Sequence, residues 1–146
     1  MAQTDIPLAS FSAQDALVAV MVGLSASDEN MTTNELLAIT RMVETLPVFA
    51  GFDRDRLHTI SQTVFDLLTE EDGLDALFGL VRDALPEALH ETAYALACDV
   101  AAADGHAFQA ELRFLLELRH ELDVDRLSAA AIERGSSVRH RALPEA

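Results

Sequence analysis

Asp28 and Glu35 stand seven residues apart, Asp104 and Glu111 repeat that spacing, and the two pairs are offset by 76 residues. In each copy an apolar helical run ends at the Asp, and the next such run opens at the Glu. Carboxylate oxygens in this arrangement suit a hard divalent cation, Ca²⁺, Mg²⁺ or Mn²⁺, better than Zn²⁺. Within the two loops Asn30 could add a carbonyl oxygen and His106 a softer nitrogen, while Asp99, five residues before Asp104, could support a ligand from behind. An EF-hand is excluded by spacing. Counting Asp28 or Asp104 as position one, the sixth residue is Thr33 or Gln109 and the twelfth Ile39 or Leu115, where Gly and Glu would be required.

Helical periodicity makes these acids unusual. Asp28 continues the Leu17, Met21, Leu24 stripe, and Asp104 falls four residues after Val100. Glu35 precedes Ile39 and Met42 by four and seven residues, and Glu111 precedes Leu115 and Leu118 in the same way. All four acids therefore end apolar stripes, on the inner face or along the lip of a helical hairpin. An Asp near a helix C-terminus also opposes the helix dipole by about 0.3 to 1 kcal/mol. Two carboxylates roughly 5 Å apart would repel by about 3 kcal/mol at an effective dielectric near 20. A cation would relieve both costs, as would loop N–H donors. In the plainer reading each Asp bonds its own loop in an Asx turn and each Glu completes a helix cap. A charged contact with a partner protein is the third reading.

The elements that must position these acids are helices. Ser12 is placed to cap the first, with Asp15 at its favourable end, and Thr32 to Glu35 forms a Thr-x-x-Glu capping box for the second, which stops before Pro47. After Gly51 an Asp53-capped third helix carries Leu57, Ile60, Val64, Leu67 and Leu68, and a short fourth spans about Leu74 to Ala84. Pro86 fits the first turn of a fifth helix, which runs through Leu89, Ala93, Leu96 and Val100 to Asp104-Gly105. A sixth covers about Phe108 to Leu122, and a seventh opens at Asp123 or Asp125 and stops near Gly135. The expected fold is all-α, a single domain over residues 1–146 with about seven helices and two pseudo-repeated hairpins. Residues 1–11 and 136–146 are expected to be tails, the latter mobile. A period of 76 residues in only two copies points to an internal duplication rather than a solenoid.

Composition narrows the functions. Half of the 146 residues are apolar, enough for one sizeable core. The formal charge of −15 repels phosphate backbones and anionic membranes, so nucleic acid is excluded as a partner. All ten basic side chains are Arg, which removes Schiff-base and phosphate-loop lysine chemistry. No apolar stretch is long enough to cross a membrane and no basic leader opens the chain, so a cytoplasmic location is expected. The lone Cys98 reads as core filler. His58, His90, His106, His120 and His140 form no paired ligand motif. Surface placement is expected for His90, Glu91 and Tyr94, and the Glu70-Glu71-Asp72 run reads as a solvated junction. No nucleophile has a recognisable base and no glycine-rich phosphate loop is present.

The Ala-Ala-Asp-Gly loop followed by a helix-opening Glu, carried twice on a seven-helix plan, resembles the TerB-like family associated with tellurite resistance. The resemblance covers about Asp15 to Leu127, with Asp28, Glu35, Asp104 and Glu111 at the family's acidic motif positions. It implies a cytoplasmic all-helical module with roles in metal-linked stress response and in protein complexes, and no established catalysis. The first loop departs from the pattern, because Glu29 stands where the second has Gly105. Glycine enters left-handed backbone at no steric cost and Glu does not, so the second loop is the stronger candidate. The expected function is a non-enzymatic module binding a divalent cation, a protein partner, or both through its acidic face. A purely protein-binding adaptor with structural caps and a metal-dependent enzyme are the alternatives, and a homo-oligomer stays open.

Overall fold

A computed structural model of the chain describes residues 11–27, 31–103 and 109–145, Gln109 by its backbone. Among the described residues there are seven α-helices and no strand. They are α1 (Ala13–Ala26), α2 (Thr33–Thr45), α3 (Arg56–Leu68), α4 (Gly73–Ala84), α5 (His90–Ala102), α6 (Gln109–Glu121) and α7 (Arg126–Arg139). Short 3₁₀ turns at Pro47–Phe49 and Glu87–Leu89 precede α3 and α5. The all-α architecture is the one the apolar periodicity predicts. None of these helices is long and apolar enough to cross a membrane.

The N-termini of α1 and α2 follow from their capping residues. Ser12 Oγ accepts from the Asp15 amide and the Asp15 carboxylate accepts from the Ser12 amide, both at 3.0 Å. Thr32 and Glu35 make the same reciprocal pair, at 3.1 and 3.0 Å. Each box satisfies two donors that a helix start would otherwise leave bare. Asp125 caps α7 by accepting from the Ser128 amide, which holds its carboxyl below the ordinary aspartate range. Asp123, the other residue expected to open α7, instead closes α6. It sits at φ 54°, with the Val124 amide donating to the Arg119 carbonyl and its own amide to that of His120. This left-handed cap satisfies the last carbonyls of α6.

Three boundaries differ from the sequence expectation. Asp53 does not cap α3: its carboxylate accepts from the Asp55 amide at 2.9 Å, making a local turn, and the helix begins at Arg56. Pro86 precedes the 3₁₀ turn rather than entering the first turn of α5. Helix α7 continues through Gly135 to Arg139, so residues 136–139 belong to a helix and not to the expected tail. A mid-helix glycine costs roughly 1 kcal/mol. Docking on α5 offsets it, since Tyr94 donates to Glu133 and Arg139 pairs with Asp99 across that interface.

The core is organised around α1. Residues 15–25 are all buried, on every face of the helix, and α2, α3, α4, α5 and α6 all pack against it. Hence the Leu17, Met21, Leu24 stripe is only part of the pattern: Ala16, Val18, Ala19, Val20 and Val22 are as apolar and as buried. A helix apolar all round belongs at the centre of a bundle. Helix α7 packs on α5. One cluster of apolar side chains runs from Ala16 to Ala129.

Close packing on α1 depends on Gly23. A Cβ there would stand 2.7 Å from Leu77 Cδ2 on α4 and 3.2 Å from Phe114 Cζ on α6. Gly23→Val is therefore expected to lower the free energy of unfolding by about 1 to 3 kcal/mol, the usual cost of overpacking, as read by urea denaturation.

Candidate functional site

Glu35 and Glu111 occupy equivalent places in the fold. Helices α2 and α6 begin and end 76 residues apart, and α1 and α5 end at that same offset. Both glutamates lie in the first turn of their helix, and both are buried, at 1% and 0% exposure. The stripe argument predicts this inward placement. Asp28, Asn30, Asp104 and His106 lie outside the described residues, as do Glu29 and Gly105. Among the described residues no group of three or more His, Cys, Asp or Glu side chains is placed to hold a metal ion.

A carboxylate withdrawn from water loses several kcal/mol of solvation unless donors or cations replace it. For Glu35 one replacement is the Thr32 amide, in the capping box. At the position matching Thr32, three residues before Glu111, the second copy has Phe108, which lacks the hydroxyl half of such a box but keeps the backbone N–H that its carboxylate half requires. Asp99, the accessory candidate, is 2.7 Å from Arg139 Nη2 and so bridges α5 to α7. His58 and His120 are exposed. His90 donates Nδ1–H to the Leu122 carbonyl at 3.0 Å, tying the start of α5 to the end of α6.

A third buried acid is absent from the sequence-derived set. Asp15, fully buried, accepts from both sides of the Arg56 guanidinium, Nε at 3.0 Å and Nη2 at 2.6 Å. This forked geometry is the strongest arrangement available to an arginine and a carboxylate. The hydrogen bond to Asp15 raises the Arg56 pKa further above its ordinary value. The signal lay in α1 itself: an Asp in a helix that is apolar on all sides requires a cation, and the partner comes from 41 residues away.

Tyr94, expected at the surface, is buried instead, and its hydroxyl donates to Glu133 of α7 at 2.5 Å. Burial first, and this hydrogen bond second, push its pKa up. One turn further along α5, Cys98 is also buried, and burial followed by the charge of Glu133 pushes its thiol from 9.0 up to about 12. The thiol is therefore neutral near pH 8 and inert as a nucleophile. The Tyr94–Glu133 bond joins α5 to α7.

A family model described as tellurite resistance protein TerB matches residues 14–134. The chain belongs to the TerB family. The match spans α1 through most of α7 and so includes both Asp-to-Glu loops. Comparison with curated proteins and with solved structures gives no match. For this TerB-family chain, membership accounts for the all-helical plan and places it in a tellurite-resistance-like family.

Two measurements follow. Arg56→Met is expected to destabilise the fold by about 3 kcal/mol, near the low end for breaking a buried pair because the arginine side chain is 40% exposed. Chemical denaturation reads the loss directly. For Cys98 the sign is that of an acid whose folded pKa is raised. Its contribution to stability is intact below about 9 and falls as pH rises toward about 12, where the unfolded thiol ionises first. Accordingly, maleimide labelling at pH 8 should run at least roughly tenfold slower in the native chain than in urea, since access requires opening.

Proposed function

We propose that this TerB-family chain is a non-enzymatic stress-response module that binds a divalent cation at its second hairpin loop, with Asp104 and Glu111 as anionic ligands. Asp28 and Glu35 form a related but weaker pair. The observation that carries this reading is the complete burial of Glu111 in the first turn of α6, following a loop that contains Asp104, Gly105 and His106. A carboxyl group is thus held at the positive end of a helix dipole, on the inner face, within one loop of a second acid. Glycine enters left-handed backbone at no steric cost, so by residue type the second loop, with Gly105, suits an ion better than the first, with Glu29.

Two carboxylates are a sparse set for Ca²⁺, which takes six to eight oxygens, so loop carbonyls and water must complete the shell. Mg²⁺ and Mn²⁺ keep water more readily and fit a two-carboxylate site as well. His106 supplies a nitrogen donor that Mn²⁺ tolerates. The cytoplasm, where such a module would act, keeps Cys98 reduced.

For the first copy a purely structural reading has its own support, because Glu35 completes the Thr32 capping box. There the acid earns its place by satisfying α2. The chain would on that account act as an adaptor, its net charge of −15 presented to a basic protein partner.

Calorimetric titration of the chelator-stripped protein with Ca²⁺, Mg²⁺, Mn²⁺ and Zn²⁺ separates these readings. Saturable binding of a hard cation is expected, weakened at least roughly tenfold by Asp104→Asn with Glu111→Gln and much less by Asp28→Asn with Glu35→Gln. A saturating cation should also raise the thermal midpoint, since only the native state holds it. The absence of saturable binding by the parent chain would remove the cation reading. If the second-loop variants lose stability but bind as the parent does, the acids are caps.

A further inference from the structure

A pocket of about 720 Å³ opens between α5, α6, α7 and the residues 140–142 that follow α7. Its walls are mainly apolar. Ala101 and Cys98 come from α5, and Leu112 and Leu116, exposed at 50% and 53%, from α6. The volume lies within the usual range for small-molecule sites. Three features give it a polar specification.

The first is Ser136 on α7, a lining residue 3% exposed, whose buried hydroxyl has no hydrogen-bond partner among the described residues. A buried hydroxyl in that condition has lost its hydrogen bonds to water, and a ligand oxygen would restore one. The second is charge. In a chain of net charge −15 with ten basic side chains, Arg119 and Arg141 both line this one pocket, and neither is in an ion pair among the described residues. The third is the state of the acid beside them: Glu133 is held by the buried Tyr94 hydroxyl, so its carboxylate is already hydrogen-bonded within the wall.

An apolar trough with two guanidinium groups outside any ion pair among the described residues, Arg119 donating through Nε to the Val124 carbonyl at 3.3 Å, and an orphaned hydroxyl matches a molecule with an anionic head and an aliphatic body. We propose that this pocket binds an amphipathic monocarboxylate, such as a medium-chain fatty acid. The head accepts from Arg119 or Arg141 and from Ser136 Oγ, and the chain lies along Leu112 and Leu116. Arginine suits the head because its planar fork matches a carboxylate. The site needs no metal, and it is separate in chemistry from the loop carboxylates.

The probe is dodecanoate below its micelle concentration, titrated into the full chain in the presence of chelator and compared with dodecanol. Saturable one-to-one binding of dodecanoate is expected, at least roughly tenfold tighter than dodecanol, since hydrogen bonds to a charged group dominate the difference. Arg119→Gln with Arg141→Gln should reduce dodecanoate to the affinity of dodecanol. Ser136→Ala should melt no lower than the parent chain yet bind several-fold more weakly. Leu116→Glu, at an exposed position the fold tolerates, should abolish binding. Equal affinity for dodecanol, dependence on a divalent cation, or indifference to the double arginine change would each overturn the proposal. A chain that binds no dodecanoate at all would overturn it outright.

Discussion

A helix buried on every side can satisfy charge and polarity only near its ends, and α1 imposes that constraint on the whole molecule. Its sides demand five surrounding helices, which fixes the bundle. Its N-terminal end is satisfied by the Ser12 and Asp15 box together with the Arg56 fork from α3. Its C-terminal end runs into the first Asp loop, whose following helix carries buried Glu35. The Asp15–Arg56 fork and the buried Glu35 are therefore consequences of how a largely apolar rod is terminated. The cation loop proposed above lies instead after α5, one of the helices that pack against this rod.

The same constraint accounts for what could be read from sequence. Capping boxes act within four residues, so Ser12 with Asp15 and Thr32 with Glu35 are legible without any tertiary knowledge. The inward placement of Glu35 and Glu111 followed from the apolar positions four and seven residues further on, again a local relation. Asp53 was misleading for a local reason as well, since an Asp that can cap a helix can equally bond its own turn. Where tertiary packing decides, sequence reasoning stopped short. Gly135 punctuates a sequence, yet contacts from Tyr94 and Asp99 carry α7 past it. Tyr94 reads as amphipathic and could face either way until α7 is known to cover it.

Charge tells a similar story at two ranges. The acidic run at Glu70, Glu71 and Asp72 is exposed, as its composition implied. The Asp15–Arg56 fork spans 41 residues and was invisible to any window of helical length, although the all-round apolarity of α1 held the clue. The pocket beside α5 could not be read at all, because its walls come from three helices and its polar features matter only through their common opening. Pattern reveals what one helix wants. It does not reveal what three leave between them.

One more consequence attaches to the position of α1. By sequence it belongs with α2 and α3, but α5 and α6 from the other half cover it as well. Divided between α4 and α5, the chain would yield a first piece with a bare apolar column and a second without the rod it wraps. Neither piece could hide its greasy surface from water alone. The two halves behave as partners in a dimer that happens to be joined by a peptide bond, and they should lose structure together, in a single transition.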